Sequence, residues 1–337
     1  MEAALEVREV TKRYGPNRGV KGISFSVARG QVLGLLGPNG AGKTTTLRCI
    51  TGYLPVTSGR VLVDGYDLWT HPFEVRRRIG YLPDNPPMYP EMSVYDYLMF
   101  SAELHEVPRA RRGPRLDEIA ERLQLGDVLG RLIGRLSRGY RQRVGLAQAV
   151  LHEPPVLICD EPTVGLDPAQ IVEMRELIRS FGKEHAVVFS SHILSEVRLL
   201  CSDVLIIRGG EVVTRGAPGD LTAQLHGGVQ RWRIRVKGPA EAVATTLRGV
   251  RGVRGVSAPP DDGAEAGVCT LDVEAEPSAV GDDFSDRLFD ALAGSGFRPR
   301  ELHKVETSLE EVFLELTAAE QAAKAKTAGA RRGGRTR

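Results

Sequence analysis

Apolar residues recur along this chain in two rhythms. Near the start, Leu5 and Val7 alternate with charged neighbours, and QVLGLLG at 31–37 is a short unbroken apolar run. Alternation marks a strand with one covered face, and an unbroken run ending in glycine marks a strand buried on both faces. Residues 3–36 therefore read as strands, followed by a helix from about Lys43 to Thr51. Short strands and loops are expected from Val61 to Leu82, broken by Asp64-Gly65 and Pro72. The run PPMYP at 86–90 excludes regular structure. Helical spacing takes over from Val94 to about His152, with Tyr97, Leu98 and Leu104 on one face and Leu116, Ile119 and Leu123 on another. Beyond Pro154-Pro155 the segments PVLICDE, AVVFS and DVLII alternate with helices expected at Pro168–Phe181 and near 193–201. This is the rhythm of an α/β domain with a parallel sheet, interrupted by a helical insertion at about 88–152.

A second pattern begins near Leu225. QRWRIRV puts Trp232, Ile234 and Val236 on one face and Arg231, Arg233 and Arg235 on the other. CTLDVE repeats the device, with Cys269, Leu271 and Val273 inward and Asp272 and Glu274 outward. Helices around 239–248 and 283–293 complete a strand–helix–strand–strand–helix–strand order, which predicts a small α+β, ferredoxin-like layer. The expected organisation is a domain over 1–224, a second over 225–317 and a tail over 318–337. Residues 322–337 hold six Lys or Arg and no acid, a composition that predicts disorder and favours a solubilising tail over a contact with anionic headgroups.

Composition narrows the classes. The 337 residues are 42% hydrophobic and 26% charged, ordinary for a globular protein with a sizeable core. A formal net charge of +2 gives no polyanion footprint, so nucleic acid is not an expected partner. Cys49, Cys159, Cys201 and Cys269 are scattered without a CxxC pair, which argues against a zinc site or disulfide framework and fits a reducing compartment. MEAALEVREV is not a signal sequence, and no apolar run approaches the roughly 20 residues of a membrane helix. Any action at a membrane is expected to run through a partner.

Gly37-Pro38-Asn39-Gly40-Ala41-Gly42-Lys43-Thr44-Thr45 fits G-x-x-x-x-G-K-[ST], after a predicted strand and at the start of a predicted helix. Glycines there permit backbone angles that gather successive N–H groups around phosphate oxygens, and the helix start adds partial positive charge. Lys43 is expected to neutralise the β/γ-phosphates, and the Thr44 hydroxyl to ligate Mg²⁺. Asp160 and Glu161 close the buried strand PVLICDE. Asp160 suits the outer shell of Mg²⁺, and Glu161, pointing elsewhere, suits a water aimed at the γ-phosphate. A glutamate is a weak base, so Glu161 would act by position more than basicity.

Phosphate loops serve many enzymes. The discriminating segment is Leu136-Ser137-Arg138-Gly139-Tyr140-Arg141-Gln142-Arg143, ahead of the Asp160-Glu161 strand. It resembles the LSGGQ signature of ABC ATPases, and the resemblance spans about residues 3–220. It implies a P-loop NTPase, RecA-like core with a helical subdomain, binding ATP and Mg²⁺. Tyr14 resembles the aromatic that stacks on adenine, Leu166-Asp167 the D-loop and His192 the switch histidine. In that family the signature of one subunit closes on ATP held by the other, so Ser137 and Gly139 would meet the γ-phosphate across a head-to-tail dimer, a homodimer in the simplest case.

Two positions depart from the common form. Arg138 and Tyr140 replace the central glycine and the glutamine of LSGGQ, and Asp84 stands where most members carry the Q-loop glutamine. Both departures, with Ser308–Leu314 (SLEEVFL), resemble ATPases of ABC-2-type exporters, including gliding-motility-like and copper-site-maturation-like subunits. The resemblance implies an integral membrane permease as partner, the cytoplasmic membrane face as location, and a groove beside Asn85–Tyr95 that receives a short permease helix. Asp84, a hard oxygen ligand, is expected to meet the metal through water. The competing reading is a soluble ABC-family ATPase acting on a nucleic-acid or ribosomal partner. A P-loop kinase or GTPase has no need of the signature segment.

Overall fold

A computed structural model describes residues 3–15, 18–225, 230–258, 267–276 and 283–305. The expected tail and the Ser308–Leu314 segment lie outside these residues. The chain divides into two compact units, Met1–Pro218 and Gly219–Arg337.

The first unit opens with strands β1 (Ala3–Gly15) and β2 (Arg18–Ala28), then β3 (Val32–Leu36) and helix α1 (Lys43–Ile50). Strands β4 (Ser58–Val63) and β5 (Tyr66–Asp67), helix α2 (Pro72–Arg77) and strand β6 (Ile79–Leu82) follow. The helical stretch comprises α3 (Val94–Leu104), α4 (Arg109–Arg122) and α5 (Arg138–Val150). Then β7 (Val156–Asp160), α6 (Pro168–Phe181), β8 (Ala186–Ser191), α7 (Leu194–Leu200), β9 (Asp203–Arg208) and β10 (Glu211–Gly216) alternate, and α8 (Pro218–Leu225) begins at the boundary and belongs to the second unit.

Two sheets result. An antiparallel sheet runs β2-β1-β4-β5, and a six-stranded sheet runs β10-β9-β3-β8-β7-β6. The latter is parallel except at its β10 edge. Strands β3, β7 and β8 are buried at every residue, as unbroken apolar runs demand. Leu5, Val7, Ile23 and Val27 of the antiparallel sheet share one core with Leu33, Leu35, Ile158 and Val188 of the parallel sheet. Parallel register sets the carboxyl ends side by side: Leu36 opposite Ser191, Asp160 opposite Ser190, and Leu82 opposite Cys159.

Two expectations are corrected in this unit. Pro72 starts helix α2 rather than breaking a loop, because proline's missing N–H costs nothing at a first helical turn. Leu104 shares a face with Tyr97 but stands 65% exposed, since it ends α3 beyond the surface that face packs on. PPMYP is irregular, as its prolines require.

The second unit holds β11 (Gln230–Lys237), α9 (Ala240–Arg248), β12 (Val253–Ser257), β13 (Val268–Ala275), α10 (Phe284–Gly294) and β14 (Arg298–Val305). Its antiparallel sheet runs β12-β13-β11-β14, the arrangement of a ferredoxin-like layer. Ile234, Val236, Leu271 and Val273 pack on Val243, Leu247, Phe284, Leu288 and Leu292 of the two helices. Asp272, expected to face outward in water, is 8% exposed. Arg233 lies across it with two hydrogen bonds of 2.8 and 2.9 Å and shuts out solvent.

Candidate functional site

The turn from β3 to α1 is shaped by glycines. Gly40 and Gly42 have φ of +82° and +113°, values that a side chain resists. A Cβ on Gly37 would sit 2.3 Å from the Ile207 carbonyl oxygen, so the chain passes β9 only as glycine. The turn between β9 and β10 presses on it as well, with Gly210 N–H donating to the Ala41 carbonyl at 2.9 Å. Helix α1 starts with no side-chain cap and no acid in its first turn, which leaves its first N–H groups and partial positive charge for an anion.

Lys43 is 5% exposed and curls back over the loop, donating to the Gly37 carbonyl at 2.7 Å. Its ammonium lies 3.2 Å from Glu161 Oε1, and His192 Nδ1 lies 2.5 Å from Glu161 Oε2. The two oxygens of Glu161 are thus divided between a fixed cation and an imidazole. Asp160 sits beneath, where its Oδ1 accepts from Thr44 Oγ1 at 3.2 Å and Ser190 Oγ at 2.7 Å. Asp160 Oδ2 is buried and accepts no hydrogen bond from the protein. Burial raises the Asp160 pKa above the usual carboxylate range, with the Asp84 and Glu161 charges adding to the rise and the Ser190 and Thr44 hydrogen bonds opposing it. An orphaned carboxylate oxygen beside a threonine hydroxyl is an all-oxygen donor pair of the kind a hard divalent cation takes. Phosphate oxygens and water would complete such a shell, because no group of three or more His, Cys, Asp or Glu among the described residues could hold a metal alone.

Glu161 takes a left-handed backbone angle, φ +48°, uncommon for a residue with a side chain. Its N–H donates to Ser190 Oγ at 3.0 Å and to the Ser190 carbonyl at 3.2 Å, which hold that turn. A second tether stands behind it. Buried Glu196 accepts from Thr163 Oγ1 at 2.9 Å and Ser191 Oγ at 2.8 Å, tying the segment after Glu161 to the end of β8. Neither Ser190 nor Glu196 figured among the candidates. The signal available was Ser190-Ser191, a polar pair ending an apolar strand just before His192.

Lys43, Thr44, Asp160, Glu161 and His192 therefore form one connected cluster. Its hydrogen bonds and ion pairs, among the described residues, do not reach Tyr14, Ser137 or Gly139. Tyr14 is 51% exposed near the end of β1, with Lys12 5.6 Å above its ring. Ser137 caps α5 and Asp167 caps α6, accepting from Gln170 N–H at 2.9 Å. These two helix starts touch. A Cβ on Gly139 would meet the Gln170 side chain at 2.8 Å, and one on Gly165 would meet the Arg138 guanidinium at 2.6 Å. Asp84 is exposed beyond β6, its carbonyl fixed by Gln142 Nε2 at 3.1 Å.

Known proteins bear on this geometry. The ABC transporter family profile matches residues 20–164. The linearmycin resistance ATP-binding protein LnrL of Bacillus subtilis is 34% identical over 254 residues, 75% of this chain and 81% of that protein. The daunorubicin resistance ATP-binding protein DrrA3 of Streptomyces coeruleorubidus is 34% identical over 313 residues, 89% of this chain and 99% of that protein. A solved ATP-binding subunit of an ABC transporter superposes with a TM-score of 0.62 at 30% identity, covering 67% of this chain and 94% of its own. This chain belongs to the ATP-binding, ATP-hydrolysing subunits of ABC transporters.

Proposed function

We propose that two copies of this chain close head to tail on two Mg²⁺-ATP molecules and thereby drive an integral membrane permease of ABC-2 type from its cytoplasmic face. The observation that carries this reading is the Lys43–Glu161–His192 relay beside the orphaned oxygen of Asp160. In this reading the N–H groups of Gly37–Thr45 cradle the phosphates and Tyr14 stacks on the adenine. Thr44 and Asp160 hold Mg²⁺, with Asp84 reaching it through water; the ion supplies neutralisation of the phosphate oxygens. Glu161 orients the attacking water, while His192 and Lys43 fix the carboxylate's direction. The partner copy's Ser137 and Gly139 close on the γ-phosphate, and Asp167 lines the same seam. No helix among the described residues is long and apolar enough to cross a membrane, which leaves that task to the permease.

Permease docking is assigned to the groove beside the proline-rich segment. Asp84, Asn85, Pro87, His105 and His152 line a cavity there of about 380 Å³. Tyr89, two residues beyond Pro87, is half exposed and edge-on to Tyr97 and Phe100 at 6.4 and 6.0 Å.

Glu161→Gln keeps the side chain's size and removes its charge. It is expected to lower ATP turnover by about 10²–10⁴ while ATP still binds. Light scattering at saturating Mg²⁺-ATP should show a stable dimer of this variant. A monomer under those conditions refutes the shared site.

A further inference from the structure

Exposed aromatics are unevenly spread over the first unit. Among the described residues its three most exposed large hydrophobic side chains are Trp69 at 80%, Phe73 at 74% and Tyr53 at 73%. All three lie within 21 residues of sequence, on α2 and the turns after α1 and β5. Cavities link two of them, Trp69 and Tyr53, by way of Arg76. Trp69, Pro72, Leu54 and Arg76 line one of about 280 Å³, and Tyr53, Gly52 and Arg76 line the next, of about 410 Å³. The second shares Tyr53, Ile79 and Tyr81 with the cavity beside Asp84. A continuous trough thus runs from the groove assigned to the permease out to Trp69.

Charge accompanies the aromatics. Arg76 is exposed on α2, three residues from Phe73, and makes no ion pair among the described residues. Arg48 lies 5.7 Å over the Tyr53 ring. The acids of this stretch are already engaged, Asp64 with Arg29 at 2.9 Å, Asp67 with Arg60 at 3.9 Å and Glu74 with Arg78 at 2.5 Å. Uncommitted positive charge beside exposed Trp, Phe and Tyr is the composition that settles at a lipid headgroup layer. There the rings sit at the apolar boundary and the guanidinium groups meet anionic lipid. A solvated surface accounts for single exposed aromatics, but not for three together around a free arginine.

We infer that Trp69, Phe73 and Arg76 form a contact for the anionic headgroup surface of the membrane, at the end of the trough away from the permease groove, with Tyr53 where the two meet. This rests on the first unit alone and needs neither a dimer nor a bound nucleotide. The contact holds the subunit against the bilayer while the groove engages its permease helix.

The test uses the full chain, without permease, and vesicles of phosphatidylcholine with or without phosphatidylglycerol. Trp232→Phe leaves Trp69 as the remaining tryptophan. Its emission should shift to shorter wavelength with the anionic vesicles and not with the neutral ones, and lipid-borne quenchers should reach it. Trp69→Ser/Phe73→Ser and, separately, Arg76→Glu should each lower partitioning into anionic vesicles by about fivefold or more. ATP turnover in solution should stay unchanged, which shows the fold intact. Three results overturn the inference: full retention of vesicle binding by these variants, which moves the contact elsewhere in the chain; Trp69 emission indifferent to lipid; or loss of permease co-purification in the variants without any vesicle binding by the parent, which makes the patch a protein-docking surface.

Discussion

The two units treat charge in opposite ways. At the carboxyl ends of β3, β7 and β8, carboxylates are held by hydroxyls and a lysine but left short of partners, and Asp160 Oδ2 has none. In the second unit, charges on the open face of the sheet are matched across strands. Arg233 forks onto Asp272, Arg235 meets Glu301 at 2.7 Å, and Arg231 approaches Glu274 at 3.6 Å. Unpaired polar atoms in a core cost stability and are kept where a ligand completes them; matched pairs specify a sheet and do little else. The difference separates a region built to react from one built to hold shape.

Substitutions at equivalent depth should make that contrast quantitative. Lys43→Ala removes the cation that meets both the loop and Glu161, and steady-state ATP turnover should fall by about 10³. Asp272→Ala should leave the same assay within about twofold; a large loss there would break the contrast. Ser190→Ala next removes the tether shared by Asp160 and Glu161. It should raise the half-saturating Mg²⁺ concentration by about 10–100-fold in a metal titration of turnover, the usual weight of a residue that orients a metal ligand.

Protonation gives a smaller effect. His152 stacks on His105 at 4.0 Å, and burial, helped by the His105 charge, lowers its pKa from 6.5 to about 3. A histidine whose folded pKa lies below its unfolded one gives stability that is present above pH 6.5 and lost as pH falls toward 3. One pH unit below 6.5 should cost about 1.4 kcal/mol, read as a falling denaturant midpoint of the first unit. His152→Phe, neutral throughout, should flatten that slope. Smallest is the loss from Asp272→Ala in the second unit. Arg233 is 38% exposed, so water screens the pair and about 1 kcal/mol is expected by calorimetry.

Strong local signals made much of this legible in sequence. The glycine spacing of 37–45 announced a turn that only a phosphate loop requires, and unbroken apolar runs located β3, β7 and β8. Alternation gave the faces of β11 and β13. What escaped were consequences of register. Ser190 matters because β8 lies opposite β7 at Asp160, a pairing that residue types alone do not specify. Glu196 is unremarkable in a helix until Thr163 and Ser191 are brought to it. Pro72 reads as a breaker in sequence because the same residue both starts helices and ends them. Leu104 had the right periodicity, but the surface it needed stopped a turn earlier.

The turn at Gly209-Gly210 has a bearing on how portable the phosphate motif is. Gly210 hydrogen-bonds Ala41, Gly37 clears Ile207, and a Cβ on Gly210 would meet the Gly19 carbonyl oxygen at 2.2 Å. Three stretches of main chain, far apart in sequence, are pressed together where each lacks a side chain. A graft of residues 37–45 onto another strand and helix would carry the letters without this buttress. Its amides would be free to wander, and the grafted peptide would grip a triphosphate no better than any flexible glycine-rich turn.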